Sequence, residues 1–136
     1  MSLLGLTRVA YACQSVDDLI NRQALFTVGS GADAHIRLTS ARVPRRDLGG
    51  GSLFWILKHT LIARQPILSV AEEAGADGPT AVIRLRPGLI PVVPRHYRAH
   101  QGWRYLSEDL WPPDQPQGGT PIPPDLATEL AGLALL

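Results

Sequence analysis

The strongest apolar signal in the chain runs from Leu53 to Leu57 and resumes, after Lys58, His59 and Thr60, from Leu61 to Ala63. It is too short and too interrupted to span a bilayer, which takes about 20 apolar residues. Phe, Trp and Ile suit a pleated, half-buried surface, so the stretch reads as two buried strands joined near Lys58–Thr60. A helix from Ser52 to Ala63 is the competing reading, because period alone does not settle a short apolar run. Three glycines, Gly49 to Gly51, open the stretch and supply positive-φ positions or close backbone approach.

Elsewhere the pattern alternates more clearly. Leu3 to Tyr11 predicts a first strand, weakened at its start by Gly5. Ser15, followed three residues later by Asp18, predicts the N-cap of a helix from Val16 to about Ala24 that buries Val16, Leu19, Ile20 and the stem of Gln23. Phe26 to Val28 suggests a short strand, and His35 to Thr39 has the period-2 alternation of a strand with one wet face. Pro44 sets a turn or the first residue of a short helix into Leu48. After Leu68 the strand continues to Val70, and Ala74 to Pro79 reads as a hairpin-type loop before a strand over Ala81–Arg86. Leu89 to Val93 carries Pro91 and is followed by Pro94, which makes it an extended segment or sheet edge. Gly102 to Leu106 closes the sheet. Pro112 to Pro124 holds six prolines in thirteen residues, a stiff linker or wrapping arm. Asp125 caps a last helix, Leu126 to Leu135, whose apolar stripe is Leu126, Leu130 and Leu133.

The expected fold is therefore α+β: a small, strongly curled antiparallel sheet or barrel with a short N-terminal helix and a C-terminal helix. It divides into one domain over 1–111, a Pro-rich arm over 112–124 and a terminal helix over 125–136. The length of 136 residues and a hydrophobic content of 45% suit one folded domain and argue against wholesale disorder. The N-terminus makes a poor signal peptide, no stretch reaches transmembrane length, and a lone cysteine, Cys13, excludes an internal disulfide and a multi-cysteine zinc site. A cytoplasmic protein with no membrane association is the expectation.

The formal charge of +1 conceals an asymmetry. His35 to Gln65 carries six basic residues against Asp47 alone, and Arg84 to Arg104 carries five arginines and no acid. After Arg104 come five acids and no base. Such a split suggests a polyanionic partner, or a tail that covers the basic face; two solvated faces with no partner are the plain alternative.

The words GGSLFWILK, ARQPIL and QGWRYL, with the Pro44-Arg45-Arg46 element and the Ser15–Leu19 helix start, resemble an uncharacterised bacterial family, DUF1489. That family shows a GGSLYWVIKG-type stretch, an ARQRIL-type continuation and a closing FQGWRYL. The resemblance covers roughly Leu3 to Leu106. Departures are His59 in place of glycine, Pro66 in place of a basic residue and His100 in place of phenylalanine. The family carries no activity to transfer. A weaker likeness, of fold alone, is to the PUA-like barrels (the PUA, ASCH and EVE group), which bind RNA or modified bases.

For chemistry, arginines at 37, 42, 45, 46, 64, 95, 98 and 104 are candidate phosphate contacts, since guanidinium binds phosphate bidentately. Trp55, Trp103 and Tyr105 are candidates for stacking on an unpaired base, against the alternative that the tryptophans are core. The four histidines form no zinc-protease pattern, Ser52 sits in no nucleophile elbow, and the glycine triplet lacks the Lys-Ser/Thr of a P-loop. No catalytic residue, metal site or cofactor is assigned. The leading expectation is a non-enzymatic module that binds RNA or a nucleotide through Arg45, Lys58, Arg64, Gln101, Trp103, Arg104 and Tyr105. The second is a protein-interaction or assembly subunit that docks a protein partner through the Pro-rich arm and terminal helix. An enzyme acting on a nucleotide is third.

Overall fold

The apolar run from Leu53 to Leu57 folds as a strand because its two faces meet two different cores. The structure, a computed structural model, describes residues 3–115. Its elements are β1 (Leu4–Val9), α1 (Val16–Leu25), β2 (Thr27–Val28), β3 (His35–Ser40), β4 (Ser52–Leu57), β5 (Thr60–Gly75), β6 (Gly78–Leu85), β7 (Ile90–His96) and β8 (Trp103–Ser107), with short 3-10 turns at Gly31–Asp33 and Glu108–Leu110. Leu53, Trp55 and Leu57 join a core that includes Val16 and Leu19 of α1. Phe54 and Ile56 join a second core with Leu61, Val92 and Leu106 on the other face. A strand buried on both sides reads as a continuous apolar run rather than an alternating one.

The eight strands form one sheet in the order β2-β3-β6-β5-β4-β1-β8, with β7 paired to β5. β5 is the spine. Its first half, Thr60 to Arg64, pairs with β7, and its second half, from Ile67 to Gly75, pairs with β6. β6 and β7 therefore run back along almost all of β5, broken where Pro66 interrupts the ladder and its carbonyl accepts from Arg86 N at 3.0 Å. The β4–β5 hairpin turns on Lys58 and His59, both left-handed at φ 49° and 59°, as a two-residue turn matched to strand twist requires. His59 also works through its ring: Nδ1 accepts from Ala99 N at 2.9 Å, and its carbonyl accepts from Tyr97 N at 2.9 Å. These bonds fasten the segment after β7 beneath the hairpin.

Three expectations are corrected. The sheet is open, with β2, β7 and β8 at its edges, so no closed barrel forms among the described residues. It is not wholly antiparallel: β1 pairs with β4 in parallel, Leu6 opposite Leu53 through Val9 opposite Ile56. The chain between them crosses over through α1, β2 and β3, and only such a crossover can bring parallel neighbours together. Ile20 faces outward at 47% exposure, while the inner face of α1 is Val16, Leu19 and Gln23. The expected cap is present, Ser15 Oγ accepting from Asp18 N at 3.1 Å. The chain remains bonded to the body past 111: Asp114 bridges Val92, and Gln115 N donates to the Pro91 carbonyl at 2.9 Å. The expected terminal helix and most of the Pro-rich arm lie outside the described residues.

Gly51 shows why the glycine run is needed. A Cβ there would overlap the Leu4 carbonyl and approach the Leu48 carbonyl to 3.0 Å, so β4 can enter beside β1 only without one.

Candidate functional site

Along β1 and the residue that follows it, Leu4, Leu6, Arg8 and Ala10 recur at every second position, and the leucines and alanine belong to the core beneath α1. Arg8 therefore carries a guanidinium into an apolar register. Its register partners on either side are Trp55 of β4 and Trp103 of β8, so it lies between two tryptophans on one face. One guanidinium nitrogen, Nη1, donates to the Thr39 carbonyl at 3.2 Å. No carboxylate pairs with Arg8 among the described residues, and burial pulls its pKa down from the ordinary arginine value.

Arg8 opens onto a cavity of about 270 Å³ between the ends of β1 and β3 and the inner face of α1. Arg22 and Arg37 also line it, and no Asp or Glu does. Arg37 is neutralised by Glu73 at 2.9 Å, whereas Arg22 lies over the Phe26 ring, 6.0 Å from its centroid. Aromatic surface comes from Trp55 and from Tyr11 and Phe26, which are 46% and 41% exposed. The turn into α1 passes through Ala12 in the left-handed region, φ 61°, beside this cavity. Cys13, also on the lining, is a buried thiol whose pKa is pushed up by burial.

A buried amide pair sets the wall. Gln65 Oε1 accepts from Trp55 Nε1 at 2.7 Å and from Gln23 Nε2 at 2.6 Å. Its own Nε2 donates to Gln23 Oε1 and to the Arg86 carbonyl, both at 3.1 Å. Gln65 is fully buried, so this set pins the Trp55 indole and the C-terminal half of α1 to β5.

The residues expected from the sequence are placed in several parts of the molecule. Trp103 is core, 2% exposed, with Nε1 donating to the Arg42 carbonyl at 2.8 Å; its ring is covered by Arg42, 4.1 Å from the centroid. It offers no open face for stacking. Tyr105 packs edge-on against it at 4.8 Å and accepts through its hydroxyl from Arg45 N and Arg46 N, at 3.0 and 3.2 Å. Arg45 pairs with Glu72 at 3.3 Å. Arg104 lies on the opposite face of β8 from Trp103 and Tyr105, as alternation requires. Arg64 is engaged by Asp114, which raises its pKa. Lys58 is at the β4–β5 hairpin tip, and Gln101 is exposed before β8. Trp55 is core and pocket wall together. Arg8 and Arg22 were not among the expected contacts; an arginine at an inward position of an alternating apolar strand is the signal that marks Arg8.

Among the described residues no cluster of His, Cys, Asp and Glu could hold a metal ion, and no helix is long and apolar enough to cross a membrane.

Fold and cavity together define a small, sheet-rich protein with one described helix covering a basic, partly aromatic pocket. The chain belongs to the DUF1489 family of proteins of unknown function, whose profile matches residues 6–136. That match extends beyond Leu106 through the Pro-rich segment to the end of the chain. Neither the curated proteins nor the solved structures include a match to it, so the likeness to PUA-like barrels gains no structural support.

Proposed function

We propose that this protein is a non-enzymatic binding module whose pocket takes one nucleotide unit, free or within RNA, with an anionic group against Arg8 and a planar ring against the aromatic wall. The observation that carries the reading is Arg8: a half-buried guanidinium on an apolar face, with one carbonyl contact and no carboxylate partner among the described residues. A desolvated charge without a counter-charge is unfavourable, and a bound anion removes the deficit. Guanidinium suits phosphate because its planar donors engage two oxygens at once. A volume of about 270 Å³ is at the small end for ligand pockets, which start near 300 Å³. That favours a single base or ring over a dinucleotide. Tyr11 and Phe26 supply exposed ring faces at the rim.

The test is calorimetric titration with the four ribonucleoside monophosphates. Arg8→Gln should weaken the tightest of them at least tenfold while the melting temperature stays within a few degrees. Equal affinity in the variant, or no binding by the wild type at low salt, overturns the reading.

A further inference from the structure

A second basic feature adjoins the pocket. The loop from Arg42 to Arg46 is bonded to β8 at both ends, through Trp103 Nε1 to the Arg42 carbonyl and through Tyr105 Oη to the amides of Arg45 and Arg46. Between those anchors Pro44 is buried. Arg42 lies over Trp103, and Arg46 lies over Tyr105 with its guanidinium carbon 5.4 Å from the ring centroid. Both arginines are exposed, and neither has an ion pair among the described residues. A guanidinium stacked on a ring keeps its in-plane donors available, so each is oriented in advance with little left to lose on binding an oxyanion.

Arg8 and Thr39, which line the pocket, connect it to the platform. Trp103, under Arg42, is the register partner of Arg8, and Arg8 holds the carbonyl of Thr39, three residues before Arg42. From these positions we infer that Arg42 and Arg46 bind the backbone phosphates of a single-stranded nucleic acid whose neighbouring nucleotide occupies the pocket. The inference rests on the pocket reading above and deepens it, from a nucleotide unit to a strand. The pocket has room for one ring, and the paired basic platform beside it is the arrangement a strand needs: one unit sequestered, the adjoining phosphates held outside.

The experiment compares the tightest mononucleotide with a single strand of about six nucleotides, as RNA and as DNA in separate arms, across a salt series, for the wild type and for Arg42→Gln with Arg46→Gln. Glutamine keeps a stem over each ring. The double variant should bind the strand about tenfold more weakly, and its slope of log affinity against log salt should fall by about 1.4 for two lost phosphate contacts. Mononucleotide binding should be unchanged, which also reports that the variant is folded. Binding of either strand with this response supports the track. A strand that binds no more tightly than the mononucleotide, or a double variant with unaltered strand affinity and salt slope, overturns it while leaving the pocket standing. Strand and mononucleotide binding both indifferent to Arg8→Gln would overturn the pocket instead.

Discussion

Arg64 holds Asp114 with two parallel bonds, Nε to Oδ1 at 2.7 Å and Nη2 to Oδ2 at 2.8 Å, and through its third nitrogen, Nη1, donates to Ser52 Oγ at 2.9 Å. An arginine that the sequence marks for phosphate is thereby engaged by an acid of the chain's own last third. The pair ties the start of the Pro-rich segment to β5, next to the bridge between Val92 and Asp114.

Asp114→Asn is accordingly expected to lower stability by about 1 kcal/mol, the upper range for a partly exposed pair, because the geometry is bidentate. The bond to Arg64 holds the Asp114 pKa below its ordinary value of 3.8. The contribution is therefore present in full above that value and fades as pH falls through the lower folded-state value. Urea midpoints of wild type and variant should converge in acid. A gap that persists unchanged under strongly acidic conditions would contradict this.

Gln65 is the shared partner of Trp55 and Gln23 in the core. Gln65→Leu leaves the indole N–H and the Gln23 amide without their acceptor, at about 1–3 kcal/mol for each buried orphan. Replacing Gln23 by Leu as well removes one orphan and should recover part of the loss. Urea unfolding followed by tryptophan fluorescence reads both effects, and a single variant as stable as wild type would show that the amide pair is dispensable.

His100 Nε2 lies 2.7 Å from Thr7 Oγ1, and its Nδ1 lies 3.2 Å from the Gln101 carbonyl. A carbonyl only accepts, so Nδ1 carries the proton and Nε2 accepts from the threonine hydroxyl. Burial lowers the His100 pKa below 6.5. The unfolded chain then takes up the proton more readily than the folded one, so this term stabilises fully above 6.5 and is lost as pH drops below it. His100→Phe should remove that part of the pH dependence over the window that opens as pH falls below 6.5. Parallel stability curves for the two proteins over that window would sink the assignment.

Gly51→Ala should cost about 2 kcal/mol or more, since the added methyl collides with backbone on β1 rather than with a movable side chain. Gly49→Ala, which meets only the Asp47 side chain, should be far milder. Thermal melts of the pair test whether close strand approach, rather than loop flexibility, is what the glycine run supplies.

Legibility differed by element for physical reasons. The β4–β5 hairpin, α1 with its Ser15 cap, β3, and β8 from Trp103 follow from apolar period, cap chemistry and turn residues, all local properties of a few neighbouring side chains. The parallel pairing of β1 with β4 was not legible, because distant strands choose partners by how the crossover packs, and apolar runs fit either direction. Trp103 and Tyr105 look in the sequence like stacking rings; in the fold their polar atoms are committed to the Arg42–Arg46 loop.

The sequence alone determined where α1, β3, β8 and the β4–β5 hairpin fall, though not that β5 runs past Val70 to Gly75. It also determined that the chain belongs with the GGSLFWILK and QGWRYL words of its family and that arginine is plentiful near the aromatic positions. Only the tertiary structure decided which arginines retain unmatched charge. Glu73, Glu72 and Asp114, each remote in sequence, neutralise Arg37, Arg45 and Arg64, while Arg8, Arg42 and Arg46 are left without acids among the described residues. Electrostatic interaction falls with distance through space, so the pairing of charges is settled by where the strands carry them and not by their order along the chain.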